Sequence, residues 1–110
     1  MHELATTQNL VKICEDAAAR EGFRRVVEIH LSIGAMTGII PQALEEFFPY
    51  VSGDTVCEGA RIVSKILPVR VECPTCGYSG EAEGFECPRC GGGIRLTQGR
   101  EFFVDSLAVE

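Results

Sequence analysis

Four cysteines in the second half of the chain are spaced so that their thiolates can bind one metal ion together. They form two Cys-x-x-Cys pairs, each followed by glycine, and ten residues separate the pairs. Two intervening residues let both sulfurs of a tight turn reach one cation, and four sulfurs give the tetrahedral coordination that suits Zn²⁺. Four occupied positions leave none open for chemistry. The spacing therefore predicts a structural zinc site formed by Cys73, Cys76, Cys87 and Cys90.

Two other chemistries use similar cysteine spacing. Thioredoxin-like redox pairs need a surrounding βαβ scaffold, and these two pairs lie too close together for each to have one. Cys-Pro-x-Cys-Gly turns also hold a single iron in rubredoxins, where aromatic side chains shield the centre. Only Tyr78 and Phe85 lie near these turns in sequence, so the pattern favours zinc, and a rubredoxin-like electron carrier stays as an alternative.

The remaining reactive side chains have simpler structural explanations. Cys14 lies on the apolar stripe of a predicted helix, and Cys57 precedes a predicted strand, so we expect both to be structural. His30 falls on the polar face of a strand, and Glu45-Glu46 on the solvated side of a helix. No Ser/His/Asp set or phosphate-binding glycine loop is visible, so no catalytic residue is predicted and the chain is not expected to be an enzyme.

The amino terminus, Met1-His2-Glu3, offers a second kind of metal ligand. The α-amine, the amide nitrogen of His2 and its ring Nδ1 can close adjoining chelate rings on one cation, with Glu3 adding its amide or carboxylate. Planar nitrogen ligation of this kind suits Ni²⁺ and Cu²⁺. On spacing alone the signal is weak, because most histidines at a second position are simply solvated.

Composition limits the class of protein. The formal net charge of −6 opposes a nucleic-acid-binding role, which normally requires a basic face. No apolar run approaches the roughly 18–20 residues of a membrane span, and the first ten residues lack the pattern of a secretory signal. Cysteines in a chain without such a signal indicate metal binding in a reducing compartment, so we expect a cytoplasmic protein.

Hydrophobic periodicity predicts two helices and three main strands. A helix is expected over residues 4–21, and a strand with alternating burial over 27–33. A second helix begins at Pro41, with an apolar stripe of Leu44, Phe47, Phe48 and Val51. Further strands are expected over 60–67 and after Gly99. The last strand has apolar residues on both faces, which predicts a position that is central or covered on both sides.

These elements predict an α+β fold with two helices packed on a three-stranded sheet. A zinc-ribbon-like four-cysteine module is inserted between the last two strands, where a longer loop costs little closure entropy. The predicted division is an αβ domain of residues 1–68 plus 98–110 and a module of residues 69–97. The module contains few large apolar residues, so we expect it to have no core of its own.

The combination of these features resembles the HypA/HybF family over essentially the whole length. The resemblance is carried by Met1-His2-Glu3, Ile33-Gly34, Glu58-Gly59-Ala60, the two cysteine pairs and Gly99. These proteins are nickel metallochaperones for the maturation of [NiFe]-hydrogenase, and the combination is far more specific than any one of its parts.

The resemblance implies that the αβ domain binds Ni²⁺ as transferred cargo, through Met1, His2 and Glu3. It implies delivery to the hydrogenase large-subunit precursor together with the GTPase HypB, and some members also serve urease maturation. Neither nucleic acid nor a membrane is expected as a partner. The competing hypothesis is a zinc-ribbon interaction module that has no role in nickel handling.

Overall fold

The computed structural model describes residues 2–110, so Met1, a predicted nickel ligand, lies outside the described residues. None of the helices in this part of the chain is both long and apolar enough to cross a membrane. The elements are α1 Glu3–Glu21, β1 Val26–Gly34, α2 Pro41–Ser52, β2 Arg61–Leu67, β3 Arg70–Glu72, β4 Ser79–Glu81, β5 Arg95–Gln98 and β6 Phe102–Val109.

Helix α1 forms where the apolar period predicts it and ends at a glycine. Gly22 adopts a left-handed conformation with φ of 82°, which a residue without a Cβ tolerates, and its N–H donates to the Ala18 carbonyl at 2.8 Å. Leu10 and Cys14, one turn apart, are buried on the inner face. The predicted helix and its stop at Gly22 are confirmed.

The first sheet has the strand order β2-β1-β6 and supports the core of the molecule. β1 runs parallel to β2 and antiparallel to β6, and α2 makes the crossover that a parallel pair requires. The core lies between the two helices and one face of this sheet, with Leu10, Leu44 and Phe48 packed against Ile29 and Leu31. The predicted architecture of two helices on a three-stranded sheet is confirmed.

Strand β6 lies at an edge of the sheet, so the predicted central or doubly covered position is wrong. Phe102 and Val104 pack against the core before an irregularity in the pairing with β1, and Leu107 packs against it afterwards. Leu31 pairs with Val104 and His30 with Ser106, so the intervening Asp105 is the extra residue of a β-bulge. Apolar residues occur in both alternating sets because the bulge switches the buried phase.

Helix α2 buries a narrower stripe than the sequence predicts. Leu44 and Phe48, four residues apart, are completely or almost completely buried, whereas Phe47 is 40% exposed. Phe47 is rotated by about 100° from Phe48 around the helix axis, which places it on the flank of the contact with the core. Phe47 therefore lies at the exposed edge of the predicted apolar stripe.

The second sheet, of order β4-β3-β5, belongs to the segment that carries the four cysteines. We call residues 70–98 the cysteine module, and the rest of the described chain the αβ unit. Val71 of β3 is 2% exposed, but no residue of this segment belongs to the hydrophobic core cluster of the described chain, which agrees with the expectation that the segment has no core of its own. The module lies between β2 and β6 in the chain, as predicted, while the division of the chain into two domains stays a prediction.

Backbone contacts at Gly34 and Gly99 join the two sheets. A Cβ on Gly34 would lie 2.3 Å from the Gly99 carbonyl oxygen, so only glycine fits at position 34 without a shift. The Gly34 N–H donates to the Glu101 carbonyl and the Met36 N–H to the Gly99 carbonyl, both at 2.7 Å. The chain segment that leaves the module is therefore held directly against the end of β1.

Candidate metal centre

The two cysteine pairs form two turns of the same construction, one between β3 and β4 and the other between β4 and β5. In each turn the glycine after the second cysteine donates its N–H to the carbonyl of the first, Gly77 to Cys73 and Gly91 to Cys87, at 2.9 Å. Both glycines have positive φ, 79° and 76°. Because L-residues adopt this conformation only with strain, glycine at these positions sets the shape of each turn.

The four sulfurs converge on one point. Cys73 Sγ lies 3.6 Å from Cys90 Sγ and Cys76 Sγ lies 3.5 Å from Cys87 Sγ, and all four lie within 4.8 Å of one another. A tetrahedral ion with metal–sulfur bonds of about 2.3 Å requires sulfurs about 3.8 Å apart, whereas a disulfide requires about 2.05 Å. The spacing fits four ligands of a single metal ion and does not fit disulfides.

Backbone amides aim at the sulfurs and favour their thiolate form. The Cys76 N–H donates to Cys73 Sγ at 3.5 Å, and this bond is the main reason that the pKa of Cys73 is lowered to about 6. Burial raises the pKa of Cys87, but donation from the amides of Cys90 and Arg89, each at 3.4 Å, lowers it below its usual value. These bonds hold two of the sulfurs ready for metal binding.

The thiol of Cys90 is the one whose pKa is raised within the cluster. Donation from the Gly92 amide lowers the pKa of Cys90, but contacts of the Cys90 sulfur with the sulfurs of Cys73 and Cys76 raise it to about 12. Thiolates this close repel one another, and the charge of a divalent cation offsets that repulsion. The donor set therefore suits a divalent metal ion bound by four thiolates.

The site is covered unevenly. Cys73 and Cys87 are buried, whereas Cys90 is exposed. Phe85 is 88% exposed and covers nothing, while the Tyr78 hydroxyl donates to the Glu81 carbonyl at 2.7 Å. Phe85 therefore provides none of the aromatic shielding expected around a rubredoxin-like iron.

Arg89 links the two turns, a contact that sequence analysis missed. Its guanidinium in the second turn donates to the Cys76 carbonyl in the first at 2.9 Å. An arginine between the two cysteines of a pair is visible in the sequence, but its partner depends on how the two turns face each other. Arg89 thus helps to hold the turns in their relative positions.

Two of the predicted nickel ligands, His2 and Glu3, lie at the start of α1. His2 is the N-cap residue, with an exposed side chain and a positive φ of 64°, and its carbonyl accepts the Thr6 N–H at 2.9 Å. Glu3 is the first helical residue. Over residues 2–110, the four cysteines are the only group of three or more His, Cys, Asp or Glu side chains close enough to share an ion.

His30 lies in a network on the face of the first sheet opposite the helices. Its Nε2 donates to the Glu28 carboxylate at 3.0 Å, and Arg61 of the neighbouring strand donates to the same carboxylate. Arg61 first, and His30 second, hold the pKa of Glu28 below its usual value. This placement agrees with the structural role expected for His30. Glu45 and Glu46 are exposed, as predicted.

Cys14 and Cys57 are both fully buried and touch each other, which their sequence positions do not reveal. Interaction with the neighbouring Cys14 thiol, and with the Thr55 hydroxyl 3.2 Å from its sulfur, lowers the pKa of Cys57 to about 7, while interaction with Cys57 and burial raise the pKa of Cys14. The pair joins α1 to the loop before β2 within the core. Both cysteines are structural residues, as expected.

Comparison with known proteins connects the fold and the cysteine site to a family. Residues 1–109 match the profile of a family described as "Hydrogenase/urease nickel incorporation, metallochaperone, hypA". Hydrogenase maturation factors HypA from Geobacter metallireducens and Caldanaerobacter subterraneus are 42% and 36% identical to this chain, and each alignment covers all of both proteins.

Two solved structures have the same fold. The solution structure of the Ni metallochaperone HypA from Helicobacter pylori superimposes with a TM-score of 0.71 at 22% identity, covering 99% of this chain and 97% of the other. A second structure, titled "Solution structure of HypA protein", gives 0.75 at 23%, covering 100% and 97%. The chain therefore belongs to the HypA family, whose members are nickel metallochaperones of hydrogenase maturation and not enzymes.

Proposed function

We propose that this protein binds Ni²⁺ at its amino terminus, through Met1, His2 and Glu3, and delivers it to the large-subunit precursor of a [NiFe]-hydrogenase. The GTPase HypB is the proposed partner in delivery, and the cytoplasm the proposed location. The observation that carries the proposal is the match of nearly the whole chain to a nickel-incorporation family, in a sequence whose second residue is histidine.

The geometry of α1 supports ligation at His2. The first amides of a helix have no acceptor within the helix, so helix formation does not require the N–H of the N-cap residue. The exposed imidazole lies beside that amide on the same residue. Ligands at an exposed terminus suit a carrier, because a bound ion there is accessible to the protein that receives it.

We also propose that Cys73, Cys76, Cys87 and Cys90 bind a structural zinc ion. The sulfur spacing, the amide bonds to sulfur and the exposed position of Phe85 favour zinc over a shielded iron centre. A bound zinc ion would have a thiolate at each of its four coordination positions. With no position open to a substrate, it would stabilise the fold of the module and perform no catalysis.

Nickel titration of the untagged protein tests the proposed cargo site. His2→Ala is expected to weaken Ni²⁺ binding by at least about 10-fold, because it removes a chelating imidazole. His30→Ala is the matched control, since His30 is the only other histidine and already bonds to Glu28. Isothermal titration calorimetry on zinc-loaded protein measures both. Blocking the α-amine with an N-terminal tag is expected to weaken binding as His2→Ala does.

Equal nickel affinity for His2→Ala and the unaltered protein would reject the amino-terminal site. Loss of nickel binding in His30→Ala but not in His2→Ala would place the nickel site on the face of the first sheet opposite the helices. Glu3→Gln distinguishes ligation by the Glu3 carboxylate from ligation by the Glu3 backbone amide. The substitution alters only the side chain, so weaker nickel binding would indicate a ligating carboxylate.

Metal analysis tests the zinc proposal. The purified protein is expected to contain one zinc ion per chain and to be colourless, whereas an iron centre would be red. Cys73→Ser is expected to abolish stoichiometric zinc, and Cys57→Ser, which replaces a buried cysteine outside the site, is expected to retain it. Loss of zinc from both variants to the same extent would contradict the assignment of ligands.

Urease maturation is a second candidate role, because the family description names both hydrogenase and urease. Transfer assays separate the two. Nickel-loaded protein, with HypB and GTP, is expected to transfer nickel to the hydrogenase large-subunit precursor, and His2→Ala is expected not to. Transfer to urease maturation factors alone would assign the second role and reject the first.

A further inference from the structure

A groove of about 1030 Å³ lies between the αβ unit and the cysteine module. We call it the junction groove. Its αβ wall is apolar and includes Ala35, Ile66 and Pro68, with Val69 at the base where the chain enters the module. Ile66 of β2 is 49% exposed, so its side chain is available to a ligand in the groove.

The opposite wall of the junction groove belongs to the module and is acidic. Glu81, Glu83 and Glu86 line it, together with Pro88 and the proposed zinc ligand Cys87. All three glutamates are exposed, and none forms an ion pair with another residue in the described range 2–110. No lysine or arginine lines the groove, so its charge is wholly negative.

The arrangement of the carboxylates identifies the kind of ligand. Their oxygens do not gather closely enough to share one metal ion, since among residues 2–110 only the four cysteines do so. Carboxylates spread along a wall instead match several positive charges spread along a chain. The negative wall, and the net charge of −6, also exclude nucleic acid and anionic lipid.

The two facing walls favour an extended polypeptide. Successive side chains of an extended segment point to opposite sides, so one set can contact the apolar wall while the other reaches the carboxylates. The volume lies at the upper end of the roughly 300–1,000 Å³ of small-molecule pockets, which leaves room for several residues. We propose that the junction groove binds an extended segment of a partner protein in which lysine or arginine alternates with apolar residues.

Occupancy of this groove would also connect the two parts of the molecule. A bound segment touches β2 of the αβ unit and the second cysteine turn at once, so it restricts how the module moves relative to the first sheet. This inference concerns a partner surface and does not depend on nickel ligation at His2. Failure of one proposal therefore leaves the other intact.

A peptide selection tests the inference even though the partner is unidentified. Random nonapeptides displayed on phage are selected on the immobilised, zinc-loaded full chain with a native amino terminus. The selected peptides are expected to be enriched in lysine and arginine alternating with apolar residues. Selected sequences without basic enrichment, or selection that yields no binders, would overturn the proposal.

Matched variants then locate the binding site of the selected peptides by fluorescence anisotropy. The triple variant Glu81→Gln, Glu83→Gln, Glu86→Gln is expected to weaken binding by about 10-fold, with a smaller effect at high salt. The control triple Glu45→Gln, Glu46→Gln, Glu58→Gln removes the same charge from exposed positions outside the junction groove. Its effect is expected to stay within about 2-fold. Equal losses of peptide affinity in the two triple variants would show that net charge alone attracts the peptides, and would overturn the proposal that they bind in the junction groove.

The apolar wall has its own matched pair on β2. Ile66→Thr is expected to weaken peptide binding, whereas Val63→Thr, on the same strand but outside the groove, is expected to leave it unchanged.

Two other occupants of the junction groove are tested directly. Self-association in sedimentation experiments that the glutamate triple abolishes would assign the groove to a second copy of the chain. A divalent ion bound through the three glutamates would assign it to a metal; either result would overturn the proposal.

Discussion

At the scale of single residues, the cysteine site depends on groups other than its ligands. Each turn buries its first cysteine more deeply than its second, and amides of the same turn donate to the buried sulfurs. Arg89 adds the contact between turns, from a guanidinium to a main-chain carbonyl. Groups of this kind orient ligands and typically influence metal affinity.

We expect Arg89→Ala to weaken zinc binding without abolishing it. The contact with the Cys76 carbonyl is exposed, and a bond of that kind contributes about 0.5–1 kcal/mol, which corresponds to an affinity loss of about 3-fold. Competition with a chelating dye measures the change. Arg95→Ala is the control, because Arg95 is also exposed in the module but pairs with Glu72 instead of the other turn. Equal losses for the two variants would contradict a bridging role for Arg89.

Residue identity predicted the ligand set but not the contacts around it. Cys-x-x-Cys spacing is local, so the convergence of four sulfurs could be inferred from sequence. The partner of Arg89 and the contact between Cys14 and Cys57 join residues far apart in the chain, and no local pattern encodes them. The same limit applies to His2, whose role as a nickel ligand is still a prediction.

At the scale of elements, the β-bulge in β6 determines which side chains face the core. Asp105, the extra residue, accepts a hydrogen bond at 2.5 Å from the hydroxyl of Ser32, which is itself 3% exposed. The bond holds the irregular residue of the edge strand to the central strand. After Asp105 the buried phase shifts, so that Leu107 contacts the core although Phe103, in the same alternating set before the bulge, is 53% exposed.

The phase shift predicts opposite sensitivities for two apolar residues of the same alternating set of β6, one on each side of Asp105. Leu107→Ala is expected to lower the free energy of unfolding by about 1–2 kcal/mol, since it removes packing from a partly buried position. Phe103→Ala, at a position that is 53% exposed, is expected to cost less than about 1 kcal/mol, mostly through strand propensity. Urea denaturation of the zinc-loaded protein measures both. An equal or larger loss for Phe103→Ala would mean that the strand keeps a single phase.

Elements could be predicted where one period describes the whole segment. Helix α1 and strand β1 have regular patterns and clear stops at glycine, so their positions were close to those observed. β6 was misplaced because alternation across a bulge imitates a strand buried on both faces. The strands β3 to β5 were missed because three or four residues are too short to establish a period.

At the scale of the whole molecule, the chain is elongated. Its radius of gyration is 17.4 Å and its extents are 54 × 25 × 16 Å, whereas a compact domain of this length has a radius of about 13 Å. The two sheets are connected by the segments on either side of the module, 68–69 and 99–101. The layout of an inserted module could be predicted from composition, but its orientation could not, because backbone contacts between distant segments determine it.

Gly34 is the point at which that orientation is most easily tested. A Cβ at this position would lie 2.3 Å from the carbonyl oxygen of Gly99, and both atoms belong to backbone that is hydrogen-bonded across the junction. We expect Gly34→Ala to lower the free energy of unfolding by about 1–3 kcal/mol, because the two segments must separate to admit a methyl group. Chemical denaturation of the zinc-loaded protein measures the loss, and small-angle scattering measures the radius of gyration.

Gly53→Ala is the matched control for the junction. A Cβ there meets nothing within 4 Å and the backbone φ of −58° suits alanine, so its effect is expected to stay within about 0.5 kcal/mol. Zinc content should be unchanged in both variants, because neither residue touches the cysteine turns. If Gly34→Ala were as stable as Gly53→Ala, with the same radius of gyration, then the contact between Gly34 and Gly99 would not hold the two sheets together. If only the radius changed, the contact would set the orientation of the module without contributing to stability.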